Sequence, residues 1–155
     1  KNIYKTRQLL PIIKLPYSMI AIIKANFNAH ITDLLLAGCT DELDAKNQSY
    51  KVFECAGAVE TVVFANRIIE TKQYDCVVVI GAIIKGDTDH YEYVCQYVTQ
   101  GFATIAATKL TPVIFGILTT QNEALAYERA AIDKMNKGQE FAKTAMEMIE
   151  SFKSL

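Results

Sequence analysis

The chain has 155 residues, the length of one ordinary domain with a substantial core. Its 16 basic and 17 acidic residues give a formal charge of −1, so no basic field attracts nucleic acid and no charge pattern indicates a membrane surface. Apolar residues make up 51% of the chain, without a membrane-spanning run or the apolar core of a signal peptide. We therefore expect a cytoplasmic protein that binds small molecules, with no nucleic-acid or membrane partner.

Four cysteines, at positions 39, 55, 76 and 95, are widely spaced along the chain. They form neither a CxxC pair nor a Cys/His array with zinc-finger spacing. In a cytosolic protein such residues are typically reduced and behave as small buried hydrophobes. We expect no metal site.

Residues 1–18 contain two of the three prolines, Pro11 and Pro16, among mixed basic and apolar residues. We predict an N-terminal arm, which either lies on a neighbouring subunit or is a frayed terminus. The remaining residues, 19–155, are predicted to form one domain.

Short apolar runs alternate with amphipathic segments along this domain. Strands are predicted at 19–24, 50–55, 77–80 and 112–118, and helices at about 30–46, 59–72, 90–108, 122–131 and 137–152. Right-handed crossovers leave few topologies for parallel strands separated by helices. The pattern predicts a three-layer α/β/α sandwich.

The stretch VVVIGAIIKGDTDHYEY, residues 77–93, is the part of the sequence most typical of a functional site. Its β-branched start is typical of a central parallel strand that is covered on both faces. Gly81 and Gly86 then allow backbone conformations and close approaches that a side chain would block. The stretch therefore predicts a strand, a glycine-containing loop and a helix start.

The predicted helix start has capping residues and a titratable side chain. Thr88 or Asp89 can cap the helix, with Glu92 three residues after Asp89. A helix N-terminus beyond the carboxyl end of a strand favours an anion, and phosphate is the first candidate. His90 lies beside that anion site and titrates close to neutral pH, so we expect it to move protons.

The segment GAIIKGDTDHYEY, residues 81–93, resembles the central signature of the lumazine synthase family. Further motifs of that family follow the same order: NFN at 26–28, GAVE at 57–60, PVIFGILTT at 112–120, ERA at 128–130 and NKG at 136–138. The resemblance runs from about Met19 to the C-terminus. It implies a flavodoxin-like fold with a four-stranded parallel sheet of order 2-1-3-4.

The resemblance also implies a reaction. A transferase of riboflavin biosynthesis would condense 5-amino-6-(D-ribitylamino)uracil with 3,4-dihydroxy-2-butanone 4-phosphate and release phosphate and water, with no cofactor or metal. His90 would shuttle protons. Residues near the pyrimidine and its ribityl chain would be Phe27, Ala58, Val59, Glu60, Ala82, Ile83, Ile84, Phe115 and Lys137. Residues binding the phosphate would be Gly86, Asp87, Thr88 and Arg129.

Three positions depart from the family pattern. Val59 stands where an aromatic residue is usual, and Thr61 and Val62 replace an aliphatic residue and a proline. These changes keep two alternatives open: a non-catalytic shell or flavin-binding protein of the same fold, and an archaeal-type riboflavin synthase. The GxTxH loop and Arg129 favour the synthase, because a phosphate site has no purpose in either alternative.

The resemblance finally implies a homo-oligomer of at least five subunits. Phe115 would reach the active site of the adjacent subunit and cover the substrate ring. Between Arg129 and Asn136 the chain has the length of family members that form shells of twelve pentamers, although Ala131 and Met135 replace usual glycines. Riboflavin synthase is a candidate partner.

Overall fold

The computed structural model of the protein describes residues 18–155, so all but the last residue of the predicted arm lies outside the described residues. The strands are β1 (Met19–Ala25), β2 (Ser49–Cys55), β3 (Cys76–Ile84) and β4 (Val113–Thr120). The helices are α1 (Ala29–Ala45), α2 (Ala58–Glu70), α3 (His90–Thr108), α4 (Glu123–Ala130) and α5 (Lys137–Lys153). The predicted alternation of strands and helices is confirmed.

The four strands form one parallel sheet in the order β2-β1-β3-β4, as the resemblance implied. The pairing of β1 with β3 ends at Lys24 and Ile80. The pairing of β3 with β4 continues to Ile84 and Thr120. The last residues of β3 therefore extend beyond the β1 ladder, and a space opens there at the carboxyl edge of the sheet.

Helices cover both faces of the sheet and give the fold its three layers. Side chains of α1, α4 and α5 pack on one face against Ile22 and Val78, whereas α2 and α3 pack on the other face against Ile23 and Val79. Side chains of a strand alternate between its two faces, so the continuous apolar run of β3 supplies both cores. Residues Val77–Val79 have no solvent exposure, as expected for a central strand.

The third strand is longer than predicted, because it continues through Gly81 to Ile84. The expectation that the glycines supply unusual backbone conformations is wrong, since none of the described glycines has a positive φ angle. Gly81 instead makes room for its neighbour: a Cβ atom there would lie 3.3 Å from Cγ1 of Ile117 on β4. Gly81 is thus a packing residue within the sheet.

Two glycines allow α1 and α5 to approach each other closely. A Cβ atom on Gly138 would lie 2.1 Å from the carbonyl oxygen of Leu35, and one on Gly38 would meet Oδ1 of Asn136 at the same distance. Asn136 is the N-cap residue of α5 and has φ 47°, and its side chain accepts a hydrogen bond from the amide of Gln139.

No helix within residues 18–155 is long and apolar enough to cross a membrane.

The contact at Gly138 makes a testable prediction about stability. Alanine usually favours a helix over glycine by about 0.5–1 kcal/mol. Here, however, the methyl group would overlap the Leu35 carbonyl oxygen. We expect Gly138→Ala to destabilise the protein by about 1–3 kcal/mol, because overpacking outweighs the gain in helix propensity.

Chemical denaturation measures this change, with Gly86→Ala as the control. Within the part of the chain that the structure describes, a Cβ atom on Gly86 would meet no atom within 4 Å. Gly86→Ala should therefore unfold at nearly the same denaturant concentration as the unmodified protein. Equal midpoints for both variants and the unmodified protein would contradict the close helix contact.

Candidate active site

A cavity of about 500 Å³ lies at the carboxyl edge of the sheet, where β3 extends beyond β1. The turn after β1, the start of α2, the end of β3 and the start of α3 form its walls. Its lining residues are Phe27, Asn28, Ala56, Gly57, Ala58, Val59, Glu60, Ala82, Ile83, Ile84, Gly86, Thr88, His90, Tyr91 and Val94. In open α/β sheets this edge is the usual place for a ligand.

The cavity brings together ten of the fourteen site residues that the sequence suggested. They are Gly86 and Thr88 on the loop of residues 85–89, called the anion loop after its predicted role, His90 at the start of α3, Phe27 on the turn after β1, residues 58–60 on α2, and residues 82–84 on β3. The other four, Asp87, Phe115, Lys137 and Arg129, are not among its lining residues. One chain therefore supplies both the apolar wall and the anion loop of the site, but not the expected arginine.

Three of the four residues that do not line the cavity have side-chain contacts elsewhere in the same chain. The Phe115 ring lies edge-on to Phe102, with centroids 5.8 Å apart, and Phe115 remains 41% exposed. Lys137 forms an ion pair of 2.7 Å with Glu140. Nη1 of Arg129 donates a hydrogen bond of 3.1 Å to the carbonyl of Leu125.

The turn after β1 holds Phe27 at the cavity mouth. The backbone amide of Asn26 donates to the Cys55 carbonyl at 2.8 Å, and the amide of Phe27 donates to the Ala56 carbonyl at 2.9 Å. These bonds continue the β1–β2 pairing beyond the strand ends. The Phe27 side chain is nevertheless 71% exposed, so its flat face is available to a planar ligand.

The start of α2 forms a second wall of the cavity. It contains the three departures from the family pattern, Val59, Thr61 and Val62. Thr61 is fully buried, and its hydroxyl donates to the Ala58 carbonyl at 2.5 Å. Val62 packs against α3, because a Cβ atom on Gly101 would lie 2.7 Å from its Cγ1. Of the three, Val59 alone lines the cavity. The changes at 61 and 62 therefore affect packing inside the fold.

Glu60 lies over the glycine that precedes α2. A Cβ atom on Gly57 would be 3.0 Å from Oε2 of Glu60, so the glycine leaves room for the carboxylate. Burial, followed by the charge of Glu60, raises the pKa of the neighbouring Cys55 thiol. A carboxylate in the first turn of a helix is electrostatically favoured and can accept hydrogen bonds from a ligand.

The anion loop has open space at Gly86 and hydrogen-bond donors beside it. No atom of residues 18–155 lies within 4 Å of the place a Cβ would take on Gly86, so a ligand can approach the backbone there. The amide of His90 is 3.4 Å from the hydroxyl of Thr88, a long hydrogen bond that a stronger acceptor can replace. The N-terminus of α3 adds positive potential.

Of the two predicted capping residues, Thr88 accepts the long hydrogen bond from the His90 amide, but the predicted pairing of Asp89 with Glu92 is wrong. Asp89 is the N-cap residue, but its side chain makes no capping hydrogen bond. Glu92 instead pairs with Lys85 at 2.6 Å, across the loop that contains Gly86. A full lysine charge attracts the carboxylate more strongly than a backbone amide does.

Lys85 and Glu92 form an exposed ion pair beside the loop. Its hydrogen bond lowers the pKa of Glu92 and raises the pKa of Lys85. Nζ of Lys85 also lies 5.8 Å from the centre of the Tyr91 ring. Burial, and then the hydrogen bond with Cys95, raises the pKa of Tyr91, which keeps its hydroxyl protonated near neutral pH.

Sequence reasoning missed several cavity residues. Asn28 was not among the suggested site residues, but its side chain donates to the Ala82 carbonyl at 2.8 Å and lines the cavity. Tyr91 and Val94 lie on the helix turn that follows His90 and also face the cavity. Val94 lies four residues after His90, and that helical spacing was an available signal. Tyr91 and the contact of Asn28 have no such signal in the sequence.

The described residues contain no group of three or more His, Cys, Asp or Glu side chains that could hold a metal ion. Cys39 and Cys76 are fully buried, and burial raises the pKa of each thiol to about 12. Such thiols are not nucleophiles at neutral pH. Cys55 and Cys95 are partly buried, and their pKa values are also raised, with burial as the main cause.

The fold is a flavodoxin-like α/β fold, and it has a cavity at the carboxyl edge of its sheet. Residues 18–153 match the family model of 6,7-dimethyl-8-ribityllumazine synthase. Two proteins of that name, from Coxiella burnetii strains Dugway 5J108-111 and CbuG_Q212, are each 39% identical to the chain over 139 residues, covering 88% of this chain and 92% of each relative. The chain belongs to the 6,7-dimethyl-8-ribityllumazine synthase family, whose members are transferases of riboflavin biosynthesis.

The Lys85–Glu92 ion pair should help to order the loop at any pH at which both groups are charged. The contribution of Glu92 is present above the ordinary glutamate pKa and is lost as pH falls through its lowered pKa, while that of Lys85 persists through neutral pH because its pKa is raised. We expect Glu92→Gln to increase deuterium uptake in residues 85–89 at pH 7, with little change in melting temperature because the pair is exposed.

Hydrogen exchange with mass spectrometry checks this effect, with Glu150→Gln as the control. Glu150 pairs with Lys153 at 2.6 Å on the surface of α5, so it resembles Glu92 in chemistry but lies in another helix. The control should leave loop 85–89 unchanged. Equal uptake in the unmodified protein and in Glu92→Gln would exclude a role for the ion pair in ordering the loop.

Proposed function

We propose that the chain condenses 5-amino-6-(D-ribitylamino)uracil with 3,4-dihydroxy-2-butanone 4-phosphate to form 6,7-dimethyl-8-ribityllumazine, releasing phosphate and water. One observation carries the proposal: within a member of this family, Phe27, Glu60, the anion loop and His90 line one cavity. That cavity combines an apolar wall for a heterocycle with donors for a phosphate.

The proposed roles follow the positions of the lining residues. Phe27 stacks on the pyrimidine, and residues 58–60 with residues 82–84 contact the ring and the ribityl chain. The substrate amine attacks the ketone of the butanone, water leaves, phosphate is expelled, and the second amine closes the ring with loss of water. Each of these steps transfers a proton. His90, in the first turn of α3, is the proposed donor and acceptor of these protons. Holding the two substrates together contributes much of the acceleration.

The phosphate binds at residues 86–88 in this proposal. Open space at Gly86 and the hydroxyl of Thr88 support that position. Asp87 carries a negative charge and is exposed. In this proposal its side chain stays in solvent and its backbone amide binds the phosphate. Arg129 supplies the balancing guanidinium, which offers a planar fork to phosphate oxygens.

We propose that Phe115, Arg129 and Lys137 complete the site of a neighbouring subunit. None of the three lines the cavity of its own chain, which supports a shared site. The assembly is then a homopentamer, and a shell of twelve pentamers is its proposed larger form. The proposed location is the cytoplasm, and riboflavin synthase, which would use the product, is the proposed partner.

The direct test is to incubate the protein with both substrates and follow the fluorescence of the lumazine product. Release of one phosphate for each lumazine formed would support the proposed reaction. A folded, assembled protein that gives neither lumazine nor phosphate would contradict it. It would then favour the non-catalytic shell, and disproportionation of added lumazine to riboflavin would favour the riboflavin synthase alternative.

His90→Ala should lower kcat by about 10- to 10⁴-fold, because a positioned acid-base group is lost from an intrinsically feasible condensation. The matched control is His30→Ala, which removes the other histidine of the chain. His30 pairs with Glu123 at 3.1 Å and does not line the cavity, so its loss should leave kcat unchanged. Steady-state kinetics of folded proteins measures both; an unchanged kcat in His90→Ala would reject the proton-transfer role.

Arg129→Ala should chiefly raise the KM for the butanone phosphate, because only that substrate carries the charge. Arg129→Lys should restore part of the affinity, since it keeps the charge but loses the fork. Arg67→Ala is the control, because Arg67 is an exposed residue near the end of α2. A similar rise in KM for both substrates would mean that Arg129 acts through the fold.

The shared site predicts that two impaired variants can complement each other. His90→Ala keeps a normal Phe115, and Phe115→Ala keeps a normal His90, so co-expressed subunits should form mixed assemblies in which some sites contain both residues. We expect each variant alone to have strongly reduced activity and the mixture to regain part of it. In a separate analytical ultracentrifugation experiment, the unmodified protein that has synthase activity should not sediment at the monomer mass of 17.3 kDa. Failure of stable mixed assemblies to regain activity would refute the shared site.

A further inference from the structure

Asn28 joins two walls of the cavity that the backbone ladder does not connect. Its Nδ2 donates to the Ala82 carbonyl at 2.8 Å, across 54 residues of sequence. The ladder between β1 and β3 has already ended at Lys24 and Ile80. We propose that Asn28 is a positioning residue, which holds the Phe27 turn at a set distance from the end of β3 so that Phe27 is ready to stack on a planar substrate.

The backbone of β3 explains why a side chain is needed here. The amides of Val77 and Lys85 donate to β4 residues or to the residue just before β4, so odd-numbered backbone groups face β4. Backbone direction alternates along a strand, and the Ala82 carbonyl therefore faces the side where β1 has ended. Asn28 gives that carbonyl a donor and thereby extends the sheet edge by one side chain.

The backbone at Asn28 is adapted to this contact. Asn28 occupies the N-cap position of α1 in a left-handed conformation, with φ 60° and ψ 44°. Asparagine tolerates this conformation better than most residues do. Its side chain makes no hydrogen bond to the helix it precedes, although capping is the usual role of asparagine at this position. The side chain is committed to Ala82 instead.

The bond from Asn28 to Ala82 affects the position of Phe27, the residue immediately before Asn28. The Phe27 ring is 71% exposed, so packing within the chain does not hold it in place. Its turn is held on the β2 side by the bond from the Phe27 amide to the Ala56 carbonyl. The bond from Asn28 to Ala82 holds the same turn on the β3 side. Both walls of the cavity are therefore fixed relative to each other before a ligand arrives.

The kinetic test uses Asn28→Gly and rests on the proposed function. Glycine keeps the left-handed backbone accessible and removes only the side-chain bond. The matched control is Asn47→Gly, which changes an asparagine with φ 52° at the opposite, amino edge of the sheet. We expect Asn28→Gly to raise the KM for the ribitylaminouracil by about 10-fold, because misplacement of a binding surface weakens that substrate. The KM for the butanone phosphate and the kinetics of Asn47→Gly should stay unchanged.

A double-mutant cycle separates positioning from direct contact. If Asn28 acts by placing Phe27, Asn28→Gly should have little further effect in a Phe27→Ala background. Additive losses would overturn the proposal and would mean that Asn28 acts on the substrate by itself. Kinetics of folded Asn28→Gly equal to those of the unmodified protein would overturn it too.

Hydrogen exchange tests the proposal independently of activity. Loss of the tether should increase deuterium uptake in residues 24–29 and 81–84 of Asn28→Gly, relative to Asn47→Gly. If the unmodified protein lacks synthase activity but the uptake rises, the proposed function fails and the tether stands; if uptake does not rise, the tether fails. Should Asn28→Gly not fold, Asn28→Asp serves instead, because it keeps the shape but presents an acceptor to the Ala82 carbonyl.

Discussion

The structure depends on an unequal pairing of its central strand. On one side β3 is paired as far as Ile84, while on the other side its pairing ends at Ile80. Support from β4 allows the last residues of β3 to remain extended without a second neighbouring strand. The edge that β1 leaves uncovered faces the cavity, and the starts of α2 and α3 close over it. The cavity thus follows from strand length, before any particular side chain is considered.

The two faces of the sheet contribute differently to that site. On the face of α1, α4 and α5, the contact between Gly138 and the Leu35 carbonyl brings helix backbones together without intervening side chains. On the other face, α2 and α3 begin at the cavity, so their N-termini point towards it. Both α2 and α3 are anchored by buried residues further along, such as Ile69 and Ile105. The site consists of element ends held by a packed core, which suits groups that must keep their geometry while remaining accessible.

The sequence predicted the elements well because apolar periodicity records which residues are buried. Propensity could not order the strands, and the order 2-1-3-4 came only with the family motifs. Gly81 was misread because a glycine in an apolar run is compatible with both a loop and a strand, and only Ile117 on the adjacent strand decides between them. The partner of Glu92 was misread for a similar reason, since a local capping pattern does not show that Lys85 lies across the loop. Asn28 bonds a carbonyl 54 residues away, and no local pattern records such a contact.

The departures from the family motif can be weighed by where the side chains point. Thr61 satisfies its hydroxyl within the first turn of α2, and Val62 fills the space over Gly101, so these two residues form part of the packing between helices. Val59 alone changes the cavity wall, from the aromatic residue usual in the family to a smaller aliphatic one. A scaffold that no longer binds its substrates would have no need to keep Phe27 exposed at the mouth, because an exposed aromatic ring gains nothing from burial in the single chain. The altered residues thus bear mainly on how α2 packs, while the cavity keeps an accessible ring, an open glycine loop and a histidine, which favours an enzyme over a scaffold.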